Sequence, residues 1–393
     1  MRETLATKET SATPVQQSAS VPASERRSSD SSGGARLQSL DCLRAIACLA
    51  VIYGHSRGYS LLPGGWTTGE FGVSLFCVLS GFLITTILLR EQAEKRKIDL
   101  IGFLQRRALR IVPAYMFVLF ATITLVAGGV LFAHHKADAH IFFSNLTGVL
   151  TFTANQERPH PLGHYWSVSI EEQFYCVLPI ILLALRSNKI RILLISVMCL
   201  TMAFLFKSAD YGNAAFFPLA VGTLLAIADN EFKQSGFTAW IAVALGVVIC
   251  VPTLVFPAAA IGPYGVMTAS LFAALVWFAA YRTKPIAALN PIAYIGRISY
   301  GIYLSHWTLL CFTDGALTKL GLGGCVMCQF ALASLVSIGF ASLSWRYFEE
   351  PILRYKNRLG RKGLGVLIAC TSPALILVGV ICHLASIHLL SIR

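Results

Sequence analysis

Charge is what this chain is short of. Asp, Glu, Lys and Arg together make up 13% of its 393 residues, about half the share found in ordinary soluble domains. That shortage excludes a water-soluble globular fold, whose surface would need far more of these residues. Acidic residues are the scarcer kind, 19 against 32 basic ones. Also missing is a soluble domain on which the basic excess could gather, so the net charge of +13 is not the footprint of a nucleic-acid partner. The first 36 residues lack the apolar run of a secretory signal. Rich in Ser, Thr, Ala and Gln, they read as a disordered cytoplasmic arm.

Cysteine, by contrast, is not scarce, at 11 residues. Most of them, among them Cys42, Cys48, Cys77, Cys176 and Cys199, sit inside apolar runs and read as small packing residues. Cys325-Val-Met-Cys328 has the C-x-x-C spacing but no second pair to complete a zinc site. No metal site is expected.

What is abundant is apolar length. Hydrophobic residues make up 55% of the chain, and runs near the ~20 residues needed to span a bilayer recur throughout. The candidates are 38–57, 70–90, 109–133, 168–186, 190–206, 214–229, 239–257, 263–281, 294–313, 324–344 and 364–388, with 141–154 as a short interfacial piece. With the N-terminus inside, the cytoplasmic segments collect 25 Lys and Arg and the outer ones collect 6, Arg44 lying within the first span. A bias that alternates in phase with the spans follows the positive-inside rule. The expectation is an all-α polytopic membrane protein with about eleven transmembrane helices, N-terminus in and C-terminus out.

Polar residues within the spans are then the candidates for function, because intramembrane ionisable groups are costly. Arg44 and His55 share the first span, eleven residues and about 16 Å apart along one helix face. They mark either an elongated ligand path or two residues reaching opposite headgroup layers. Arg106, Arg107 and Arg110 stand at the approach to the third span, Arg106 and Arg110 on one helix face with Arg107 beside it. Guanidinium forks suit phosphate oxygens; the alternative is a cluster that only sets topology. Pro113 follows, expected to kink or delay the helix.

A third cluster runs from Gly163-His164-Tyr165-Trp166-Ser167 to Ser169, Glu171, Glu172, Gln173 and Tyr175. Ser169 and Glu172 have the spacing of a capping box. Glu171, seven residues from His164, falls on nearly the same face, where a carboxylate could orient the imidazole. Trp166 and its aromatic neighbours suit an interfacial belt, or sugar stacking. In a fourth cluster Ser299, Tyr303 and His306 form one polar stripe, which faces protein or a cavity rather than lipid. Glu349 and Glu350, beside basic residues, read as structural.

Together these phrases resemble the membrane acyltransferase-3 family over residues 37–352. They are Arg44 with His55; Phe71-Gly72-Val73-Ser74 through Ser80-Gly81-Phe82; Arg106, Arg107 and Arg110; His164 through Tyr175; Ile298 through His306; and Glu350-Pro351. Ser74 departs from the pattern, many members carrying an acidic residue there. The resemblance implies three parts: the arm 1–36, a ten-helix membrane domain 37–352, and a basic linker with one extra helix in 353–393. It also implies a multi-pass protein of the bacterial inner membrane that passes an acyl group, acetyl first among them, from cytoplasmic acyl-coenzyme A to a hydroxyl of an outer carbohydrate such as O-antigen or exopolysaccharide. In that reading His55, Arg44 and Glu171 are catalytic, and Arg106, Arg107 and Arg110 hold the donor. His164, Trp166, Ser167, Glu172, Tyr303 and His306 support the acceptor side. Membrane lipid and the glycan are the partners. With no outer domain after the last span, either the membrane domain acts alone or a separate extracytoplasmic acyl-handling protein assists. The competing class is a proton-coupled transporter or flippase that moves a glycan or small acid unmodified. Against it, no repeat of hydropathy or motif is visible.

Overall fold

A computed structural model describes residues 23–56, 67–127, 146–157, 162–205, 211–232, 262 and 264–355. Among the described residues there is no strand. The long elements are α1 (Ala23–His55), α2 (Thr68–Lys95) and α3 (Leu100–Ala127). Two short helices, α4 (Leu146–Leu150) and α5 (Ala154–Glu157), precede α6 (Tyr165–Ala184) and α7 (Asn188–Leu205). Then come α8 (Tyr211–Ala214), α9 (Phe216–Phe232) and α10 (Val266–Tyr281). The last are α11 (Asn290–Arg297), α12 (Ser299–Lys319), α13 (Val326–Ser344), a π-helical turn Trp345–Glu349, and α14 (Glu350–Tyr355).

Each apolar candidate segment within the described residues is helical; 239–257 and 364–388 lie outside them. By length and composition, four helices among the described residues are long and apolar enough to cross a membrane: Thr68–Lys95, Leu100–Val126, Tyr165–Ala184 and Val326–Arg354. Their outer faces carry large bare apolar side chains, Ile180 at 56% and Leu335 at 70% exposure among them. Such surface suits lipid and not water.

Local chemistry accounts for the starts of two helices that build the site. At α2, Glu70 N donates to Thr67 Oγ1 at 3.4 Å and Thr67 N donates to Glu70 Oε2 at 2.9 Å, a reciprocal capping box. At α3, Asp99 Oδ1 accepts from Gly102 N at 3.2 Å, so the helix begins at Leu100 and carries the three arginines on its own second and third turns. Pro113 lies inside α3 without delaying its start. α1 reaches back to Ala23, so residues 23–36 of the expected disordered arm are helical. Extending an existing helix costs far less than nucleating one.

α2 lies between α1 and α9. Its approach to α9 depends on two glycines: a Cβ on Gly81 would stand 2.1 Å from the Leu219 carbonyl oxygen, and one on Gly222 2.2 Å from that of Val78. Small residues facing each other let membrane helices pack backbone to backbone. α12 packs against α13, α1 and α3, which brings its polar stripe to the centre of the bundle.

Candidate functional site

Two polar regions meet in the middle of the bundle. The first is a cavity of about 240 Å³ whose walls come from α1, α2, α3, α6, α11 and α12. Four guanidinium side chains line it: Arg44, Arg107, Arg110 and Arg297. Arg44 Nη1 is 3.3 Å from Asp41 Oδ1, one helical turn away. Asp41, Glu171 and Glu172 are the acidic lining residues. Arg107 stands with its guanidinium carbon 5.7 Å from the ring centroids of both Phe103 and Tyr175. That is within cation–π range, and it holds the fork in place.

Arg106 is elsewhere. It reaches Glu91 on α2 at 3.0 Å, sharing that carboxylate with Lys95, also at 3.0 Å. Arg106 does not line the cavity. The three arginines expected to act together therefore divide, and Arg297, not anticipated there, joins Arg107 and Arg110 in the cavity lining. Its signal was in the sequence, since it precedes the polar stripe of α12.

In the same cavity, Glu171 receives hydrogen bonds from Ser80 Oγ and, at 2.5 Å, from Tyr175 Oη. The expected pairing of Glu171 with His164 does not occur: α6 begins at Tyr165, and His164 Nε2 bonds instead to the Leu304 carbonyl at 3.2 Å. Nor does Ser169 cap α6. Its hydroxyl donates to Tyr165 O at 3.1 Å, because Ser169 already lies in the second turn of a helix that starts four residues earlier. Glu172 is left to line the cavity. Trp166 sits outside the cavity against Tyr264, ring centroids 6.0 Å apart. Glu349 is buried and accepts from Ser344 Oγ at 2.9 Å, while Glu350 pairs with Arg354 at 2.8 Å.

The second region holds His55, His164 and His306. His55 Nδ1 and His306 Nε2 are 2.9 Å apart, with the rings stacked at 25°. His164 approaches His306 edge-on, centroids 5.0 Å apart, and the Trp307 ring meets His55 at 5.0 Å. His164 and His306 are buried, whereas His55 keeps some exposed surface. None of the three lines the cavity. The two regions share Tyr303 and Ser167. Both line the cavity, their hydroxyls lie 2.5 Å apart, and Tyr303 Oη donates to the His164 carbonyl at 2.9 Å. Among the described residues no group of three His, Cys, Asp or Glu side chains has an arrangement able to hold a metal ion. Cys325 and Cys328 are joined to each other by a disulfide where α13 begins. Ser74, at the position where many family members carry an acidic residue, is fully buried and its hydroxyl has no hydrogen-bond partner among the described residues.

A helical membrane bundle with an arginine-lined cavity next to paired histidines has the parts of an acyl-group transferase. Residues 37–346 match the acyltransferase domain family, and the chain belongs to that family. Among its relatives are the O-acetyltransferase OatA proteins of Staphylococcus aureus strains NCTC 8325 and COL, each 28% identical over 354 residues that cover 80% of this chain. The chain spans 57% of the length of these relatives. No solved structure matches it.

Proposed function

We propose that this protein is an O-acyltransferase of the bacterial inner membrane, built on eleven spans with the N-terminus inside. In this reading it moves an acetyl group from cytoplasmic acyl-coenzyme A to a hydroxyl of an outer carbohydrate. The observation that carries the proposal is the junction of the two regions at Tyr303 and Ser167, with cationic groups on one side and a paired imidazole on the other. The relatives' shared activity, O-acetyl transfer, points the same way.

Arg44, Arg107, Arg110 and Arg297 would take the phosphates of the donor, for which forked N–H donors are the best match. At about 240 Å³ the cavity is smaller than the ~300–1,000 Å³ of a drug-sized ligand site. It therefore suits the narrow pantetheine arm and its thioester, with the nucleotide held at the arginine-rich mouth. His55 serves as general base. The acceptor oxygen bonds to the acyl carbon, the carbon–sulfur bond breaks, and the hydroxyl proton passes through His55 to the departing thiolate. Glu171, held by Ser80 and Tyr175, and the Ser167–Tyr303 pair orient the groups between. The outer glycan, and a separate acyl-handling protein if one takes part, would meet the His55 end.

The test is acetyl transfer from acetyl-coenzyme A to a soluble glycan by purified protein in detergent, together with mass spectrometry of surface glycans from cells with and without the gene. Acetylated product that disappears in His55→Ala protein is the expected result. Transport of an unmodified glycan with no thioester turnover would overturn the proposal in favour of a transporter.

A further inference from the structure

The hydrogen bonds around His306 dictate which nitrogen of His55 can act as a base. His306 Nδ1 lies 2.5 Å from the Tyr303 carbonyl oxygen. A carbonyl only accepts, so the proton of His306 must sit on Nδ1. A neutral imidazole protonated there carries its lone pair on Nε2, and that atom is 2.9 Å from His55 Nδ1. His55 must then be the donor in this contact, with its proton on Nδ1 and its own lone pair on Nε2. Among the described residues the neighbouring groups leave no other arrangement. His164 bonds through Nε2 to the Leu304 carbonyl, and its Nδ1 has no hydrogen-bond partner among the described residues. Among the described residues the hydrogen bonds of these three rings go to one another and to backbone carbonyls, never to a carboxylate. With His306 fully buried, nothing among the described residues supports a second proton on its ring.

We propose that His306 is a positioning residue: held by the Tyr303 carbonyl, it keeps His55 in the tautomer whose Nε2 is free to take a proton. The inference rests on the general-base reading of His55 and adds the means by which that base is set. In a Ser-His-Asp triad a buried carboxylate performs this service for the catalytic imidazole. Here a neutral ring, itself fixed by a backbone oxygen, does so without placing a negative charge in the membrane. When His55 Nε2 accepts the acceptor's hydroxyl proton, the Nδ1–H bond to His306 becomes charge-assisted and shortens. The proton of His306 stays on Nδ1 throughout, and the one taken up by His55 leaves with the thiolate.

The experiment is nitrogen NMR of histidine-labelled full-length protein in detergent, with His55 assigned by its loss in His55→Ala, and steady-state kinetics on the same samples. In the wild-type protein His55 should show a protonated Nδ1 and a bare Nε2. His306→Gln places an amide oxygen near the Nε2 position and should keep both the tautomer and most of kcat. His306→Leu removes the acceptor, so the proton should move to Nε2. There kcat should fall by up to the ~10²–10⁴-fold that general-base catalysis supplies, with KM for the donor unchanged. A protonated His55 Nε2 in the wild type overturns the inference, and that spectrum decides the matter even where His306→Leu fails to fold. So does a His306→Leu protein with wild-type kcat. A His55→Ala protein with normal transfer overturns the general-base reading itself, through a measurement independent of the ring spectrum.

Discussion

The cavity and the histidine cluster share Tyr303 and Ser167, yet they accommodate polar groups in opposite ways. In the cavity, charge answers charge: four arginines and three carboxylates line one space, and among the described residues the one ion pair within that lining joins Arg44 to Asp41, a turn away on α1. Such a set keeps a surplus of cationic donors for an incoming anion. Among the described residues the histidine cluster has no carboxylate partner, and its ring hydrogen bonds go to one another and to main-chain oxygens. The first arrangement suits holding a charged ligand, because its donors need a counter-ion more than a fixed geometry. The second suits moving a proton, because the contacts of His306 fix which nitrogen of His55 carries the hydrogen.

Substitutions separate the two regions. The largest effect belongs to the histidines: His55→Ala should lower kcat by at least ~10²-fold, with coenzyme A affinity retained, as measured by single-turnover acetyl transfer and by calorimetry of the same protein. Loss of donor binding in that variant would mean that the two regions are not functionally distinct. Next come the cavity arginines. Arg107→Ala and Arg110→Ala should each weaken coenzyme A binding by roughly ten- to a hundredfold, the worth of one charge-assisted contact. Lys at either position should restore only part of it, since an ammonium lacks the planar fork. Full recovery with Lys would reduce these residues to topology signals.

Smaller effects grade the middle ground. Glu171→Gln should lower turnover several-fold more than Glu172→Gln at equal yield, because Glu171 gathers the Ser80 and Tyr175 hydroxyls. Equal, mild losses would remove Glu171 from the site. Smallest of all is Arg106→Lys, where a partly exposed ion pair with Glu91 is worth no more than about 1 kcal/mol. Coenzyme A affinity within about fivefold of wild type is expected there. A loss as large as that of Arg110→Lys would put Arg106 back in the donor site.

The arginine cluster shows how far the sequence could be read. Spacing placed Arg106 and Arg110 on one helix face with Arg107 beside it, and the helix indeed carries all three. Neighbours at three and at four residues lie equally close on a helix surface, so only the rotation of α3 against α2 decided that Arg107 and Arg110 face the cavity while Arg106 meets Glu91. The capping box expected at Ser169 and Glu172 went astray for a related reason. Spacing alone does not mark the first turn, and the helix starts earlier, at Tyr165. The polar stripe of α12 was correctly assigned to the interior, with Ser299 and Tyr303 on the cavity and His306 buried.

By itself the sequence determined that this is a helical membrane protein and which side chains inside it demand an explanation. Apolar run length, helical period and the cost of intramembrane charge are local properties, written into consecutive residues. The pairings were settled only by tertiary structure. His55 meets His306 across 251 positions, Ser80 meets Glu171 across 91, and Ser167 meets Tyr303 across 136. Such contacts depend on how each helix is rotated and how closely it approaches the next. Those quantities come from the glycine-to-carbonyl packing of whole helices, Gly81 and Gly222 among them, which no single stretch of chain contains.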